Sequence, residues 1–99
     1  MLDPKIFIRN WVETYLDNIV KDPQLTEKTA KSMFRKLGIE ASLDAVLCYI
    51  VGMCTGSIAA YADGTEYNRD DLTIEIMEIV YRRILEIKEI MLTKRLFDL

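Results

Sequence analysis

Residues 45–62 read AVLCYIVGMCTGSIAAYA, a stretch without a charged side chain that is bounded by Asp44 and Asp63. Wound as a helix, it has two unlike faces. Ala45, Cys48, Gly52, Gly56 and Ala59 fall on one, and all are small; Leu43, Leu47, Ile50, Cys54 and Ile58 fall on the other, and most are large. A helix apolar all round belongs in the middle of a bundle. The expected architecture is therefore an all-α domain with a buried small-residue central helix. Cys48, Gly52 and Gly56 are expected to form its closest helix-packing contact. Ser42 is positioned as the N-cap, and Asp44 sits in the first turn, where the helix dipole favours an acid.

The same stretch is long enough to cross a bilayer. Gly52-x-x-x-Gly56 is also the spacing that lets membrane helices approach closely. Its flanks are acidic rather than basic, and Cys, Tyr, Thr, Ser and Gly run through it, so no membrane span is expected. The start of the chain, Met1-Leu2-Asp3-Pro4-Lys5, lacks the basic residues and apolar run of a signal peptide. An intracellular protein is expected.

Working outward, Asp3-Pro4 marks a helix start, with Asp as N-cap and Pro in the first turn. Phe7, Ile8, Trp11, Val12, Tyr15, Leu16 and Ile19 then make one apolar face. Pro23 is read as the stop, near Lys21. Thr26 is read as the N-cap of a short helix carrying Ala30, Met33, Phe34 and Leu37, closed by Gly38 at C′ with Ile39 folding back. After Asp63-Gly64, the acidic loop up to Asp71 lacks the alternating oxygen ligands of a calcium-binding hand, because Ala59 and Tyr61 stand where ligands would be needed. Asn68 or Asp70 caps the last helix. The principal helices are expected near 4–21, 27–37, 43–62 and 71–96, in one domain spanning 1–99, with no strand.

The last helix has a narrow charged stripe, Glu75, Glu78, Arg82, Glu86 and Glu89, with pairs four apart at Glu78–Arg82 and Arg82–Glu86. Its apolar residues divide into two seams. Met77, Val80, Ile84, Ile87 and Met91 follow three-four spacing; Ile74, Tyr81, Leu85 and Leu92 lie along another side. One seam covers the core, and the other would be an exposed patch unless a second copy covers it. A homodimer is expected, with Ile74, Met77, Tyr81, Ile84, Leu85 and Leu92 at the interface. Arg83 lies among apolar residues and needs an acidic partner or water.

Composition narrows the chemistry. The 99 residues carry a formal charge of −3, with 51% hydrophobic and 29% charged residues and no His. Such a chain folds without disulfides or metal. Without an imidazole, a G-x-S-x-G elbow or a phosphate loop, no nucleophilic site can be named. Cys48 and Cys54, six apart, point in different directions and are expected to be buried thiols rather than a redox pair. No cofactor and no catalytic or metal-ligating residue is assigned.

Two alternatives remain in view. Glu75-x-x-Glu78 and Glu86-x-x-Glu89 resemble the paired acids of all-helical nucleotide pyrophosphohydrolases, and that resemblance implies a magnesium-dependent enzyme. The family places its acids on two facing helices, whereas these lie along one. Lys28, Lys31, Arg35 and Lys36 decorate the second helix and would carry weak nucleic-acid binding. A helix-turn-helix over 26–50 is disfavoured, because its reading helix would present Asp44 and apolar residues to phosphate.

Length, composition and helical layout together resemble the small uncharacterised all-helical proteins of filamentous viruses infecting hyperthermophilic archaea. The enrichment in Ile, Glu, Lys and Arg, with Gln24 the sole glutamine, is the bias reported for hyperthermophile proteins. The resemblance implies a very thermostable helical protein in the cytoplasm of an archaeal host, and it carries no site. The leading expectation is a non-enzymatic helical interaction protein that self-associates and binds an unidentified protein partner.

Overall fold

The computed structural model describes residues 3–96, which form four α-helices and no strand among the described residues: α1 (Pro4–Lys21), α2 (Pro23–Leu37), α3 (Leu43–Ala62) and α4 (Arg69–Thr93). The all-α class and the long C-terminal helix agree with the sequence. The molecule measures 44 × 26 × 20 Å, with one core shared by all four helices.

Each helix begins on a side-chain cap. The Asp3 carboxylate accepts from the Lys5 amide at 2.9 Å, Ser42 Oγ accepts from Ala45 at 3.1 Å, and Asn68 Oδ1 accepts from Asp70 and Asp71 at 2.9 and 3.0 Å. The second helix corrects the sequence reading. It starts at Pro23, with Asp22 as N-cap accepting from Leu25 at 3.1 Å. Thr26 lies inside it. Asp22-Pro23 repeats the Asp3-Pro4 signature: the residue that stops α1 also opens α2 in its first turn, where a missing N–H costs nothing. One residue therefore joins the two helices.

The far ends close by folding back. Gly38, at φ 72°, donates to the Arg35 carbonyl at 3.1 Å, and Ile39 donates to Phe34 at 2.9 Å. This is the 5→2 and 6→1 pairing of a Schellman motif. The same pairing ends α4, earlier than the expected 96: Arg95 donates to Leu92 and Leu96 to Met91, both at 3.1 Å. Arg95 takes the left-handed conformation there, at φ 53°, in place of the usual glycine.

The core is built from Ile8, Val12, Leu16 and Ile19 of α1, Ala30 and Phe34 of α2, the large face of α3, and Ile76, Met77, Val80, Ile87 and Met91 of α4. An aromatic group ties α1 to α3. Phe7 meets Tyr61 edge-on at 5.4 Å between centroids, Trp11 stacks on Tyr15 at 5.4 Å, and Trp11 leans on Tyr61 at 5.9 Å.

The expected burial of α3 on all sides is corrected. Its inward face is Leu43, Val46, Leu47, Ile50, Cys54, Ile58 and Ala62. Cys48, Gly52 and Gly56 lie on the outward face with Met53 and Ala60, and a Cβ added at either glycine would meet nothing within 4 Å. The reason is area. A buried Leu or Ile side chain contributes about 1.5–3 kcal/mol, whereas Gly and Cys contribute far less, so the large face takes the core when only one can. By length and composition α3 could cross a bilayer, and 33% of its apolar window is buried inside the molecule.

Candidate interaction surface

The last helix turns one seam inward and leaves the other outside. Met77, Val80, Ile87 and Met91 are core residues, with Ile84 half-buried beside them. On the opposite side Ile74, Tyr81 and Leu85 are 68%, 59% and 66% exposed. Residues seven and eleven apart return to nearly the same line along a helix, so these three form a single row. Leu92 continues it, half-buried. Of the six residues expected at an interface, Ile74, Tyr81, Leu85 and Leu92 lie on the outer row, and Ile84 is half-buried against the core. Met77 is the correction: it is only 4% exposed and packs in the core. Its place on the three-four spacing of the inner seam explains this.

The expected ion pairs of α4 are also revised. Arg83, not Arg82, holds the acids. Its Nη2 donates to Asp17 Oδ1 of α1 at 2.7 Å, and its Nε donates to Glu86 Oε2 at 3.1 Å. Asp17 and Glu86 together raise the guanidinium pKa above its ordinary value, hydrogen bonding to Asp17 contributing most. Arg83 thus clamps α4 to α1 from the edge of the core, the solution that a lone cation among apolar residues requires. Lys5 Nζ pairs with Glu75 at 2.6 Å and makes a second tie between the same helices. Tyr67 donates to Asp3 Oδ1 at 2.6 Å and anchors the loop before α4 to the start of α1. This bond, with the Lys5 amide, holds the Asp3 carboxyl below its ordinary pKa, while the bond to Asp3 pushes the Tyr67 phenol up to about 12.

Glu75, Glu78, Glu86 and Glu89, the acids of the pyrophosphohydrolase resemblance, do not converge. Glu75 is engaged by Lys5 and Glu86 by Arg83. Among the described residues no three Asp, Glu, Cys or His side chains come near enough to hold one metal ion. A shallow hollow between α1 and α4 is lined by Glu13, Ile79, Arg82, Arg83 and Glu86, so its charges largely cancel. On α2, Lys28, Arg35 and Lys36 point to solvent, while Lys31 Nζ pairs with Glu27 and donates to the Leu96 carbonyl at 3.1 Å. The helix bearing these cations packs against the core through Ala30 and Phe34.

The two cysteines differ, contrary to the expectation that both are buried. Cys54 lies in the core, and burial pushes its thiol up to about 11; Cys48 is exposed on α3.

No family model, curated protein or solved structure matches this chain.

Proposed function

We propose that this is a non-enzymatic helical interaction protein that works as a homodimer, with the outer row of α4 as its interface. The observation that carries the reading is the exposure of Ile74, Tyr81 and Leu85 on one line of the longest helix. Scattered apolar residues are ordinary on a protein surface, but an aligned row on a long helix has the form of a seam. A symmetric partner covers such a row with its own copy. The interface in this reading is Ile74, Tyr81 and Leu85, with Leu92 and Ile84 at its edges. A further protein partner would dock after dimerisation.

In this reading the domain lies in water and spans no membrane. The acids Asp44 and Asp63 at the ends of α3 support that, as do the ion pairs on α1 and α4. The bias toward Ile, Glu, Lys and Arg supports a thermostable intracellular protein, in the host cytoplasm if its source is an archaeal virus. Sedimentation at micromolar concentration tests the reading. A dimer mass supports it; a monomer mass, with the row wet, refutes it.

A further inference from the structure

The outer row of α4 is interrupted by two charges. Following the helix from Ile74, the positions on this face are Ile74, Glu78, Tyr81, Leu85, Lys88 and Leu92, spaced four, three, four, three and four. That is the alternation of a coiled-coil seam with one acid and one base set into it. Both Glu78 and Lys88 are exposed, and neither has an ion-pair partner among the described residues.

The spacing is symmetric about the level of Arg83. Ile74 and Leu92 stand equally far before and after it, as do Glu78 and Lys88, and Tyr81 and Leu85. We infer that α4 meets a second copy of itself antiparallel, with the two-fold axis passing at that level. The inference rests on the dimer reading above and fixes its direction and register. Across such an axis Ile74 faces Leu92 of the other copy, Tyr81 faces Leu85, and Glu78 faces Lys88. By symmetry every pair occurs twice, so each unpartnered charge gains its opposite and each apolar residue meets an apolar one. A parallel pairing in the same seam sets Glu78 against Glu78 and Lys88 against Lys88. Like charges in contact are unfavourable, so this arrangement selects against the parallel dimer. Arg82 is exposed at the flank of this row and keeps its head in water. The partner is therefore a second copy of this chain, recognised by a self-complementary row of charge and apolar surface.

The test uses the full chain and reads mass and cross-linking separately. Glu78→Lys and Lys88→Glu each place two like-charge contacts in the antiparallel seam, and each is expected to raise the dimer Kd by roughly tenfold in low salt. The double variant Glu78→Lys/Lys88→Glu restores the wild-type value. Both sites of change are on the surface, so circular dichroism should confirm an unchanged helical fold. In a Cys48→Ser background, Glu78→Cys/Lys88→Cys is expected to form an intermolecular disulfide on oxidation, while either single cysteine does not. A dimer whose Kd ignores the single reversals, or which cross-links through Glu78→Cys alone, overturns the antiparallel register and leaves self-association standing. A monomer at micromolar concentration overturns both.

Discussion

Gly52 and Cys48 show how a single position depends on which way its helix faces. Gly52 sits in the middle of α3 with open space where a Cβ would go. A glycine there spends backbone entropy without enabling any contact inside the molecule. Gly52→Ala is therefore expected to stabilise the fold by about 0.5–1 kcal/mol, read as a higher denaturant midpoint at unchanged slope. A loss of stability would place the residue in a contact. The cysteines give a second test. Cys48 is on the surface, whereas Cys54 is packed in the core with its pKa raised to about 11. At neutral pH a thiol reagent should modify one cysteine per chain rapidly, with mass mapping to Cys48, and reach Cys54 only on unfolding. A third concerns Asp3. The hydrogen bond from Tyr67 is the largest cause of its lowered pKa, from an ordinary 3.8. A depressed carboxyl contributes stability that is present above its unfolded value and is lost as pH falls through the folded one. Tyr67→Phe should move the Asp3 titration, followed by carboxyl NMR, up toward 3.8, because the largest lowering cause is removed while the Lys5 amide and charge remain. An unmoved titration would mean the bond is not formed in solution.

At the scale of the element, α2 is the instructive helix. Its start is set by Asp22, which caps four residues earlier than Thr26 could. Asp22→Ala removes the cap of α2 and is expected to cost about 1 kcal/mol. Thr26→Ala replaces a poor helix former inside a helix and should cost little or nothing. Equal losses in thermal or denaturant unfolding would return the start of the helix to Thr26. α4 carries the opposite lesson. Its two seams were legible as periodicities, but both carry three-four spacing, so which of them the core takes was decided by packing. Met77 went to the core because it belongs to the inner row.

For the whole molecule, the ties between α1 and α4 are polar and edge-placed: Arg83 with Asp17 and Lys5 with Glu75. They lie at the flank of the buried α4 face, opposite to which Ile74, Tyr81 and Leu85 are exposed. Leu85→Asp puts a charge in the middle of the outer row. In the dimer reading it should shift sedimentation to the monomer while helicity persists, because Leu85 is 66% exposed and lies outside the buried core; a dimer of unchanged mass would exclude this face. Glu86→Gln, which alters only a surface partner of Arg83, should leave the mass unchanged.

The caps, the terminators and the four helical segments follow from local chemistry in the sequence. Asp-Pro, Ser42, Asn68 and Gly38 satisfy or free backbone groups within a few residues, so their effect needs no knowledge of distant neighbours. Asp22-Pro23 is a local signal of the same kind, and it both stops α1 and opens α2. Which face of α3 is inward was decided by the tertiary structure. An uncharged helix has no polar stripe to mark its outside, and the choice fell to the larger apolar area of Leu47, Ile50 and Ile58 over Cys48, Gly52 and Gly56. The partner of Arg83 was likewise beyond local reading, because Asp17 lies on another helix and only packing brings it to 2.7 Å. Local hydrogen bonding thus fixed where helices begin and end, and competition for a small core fixed which faces they hide.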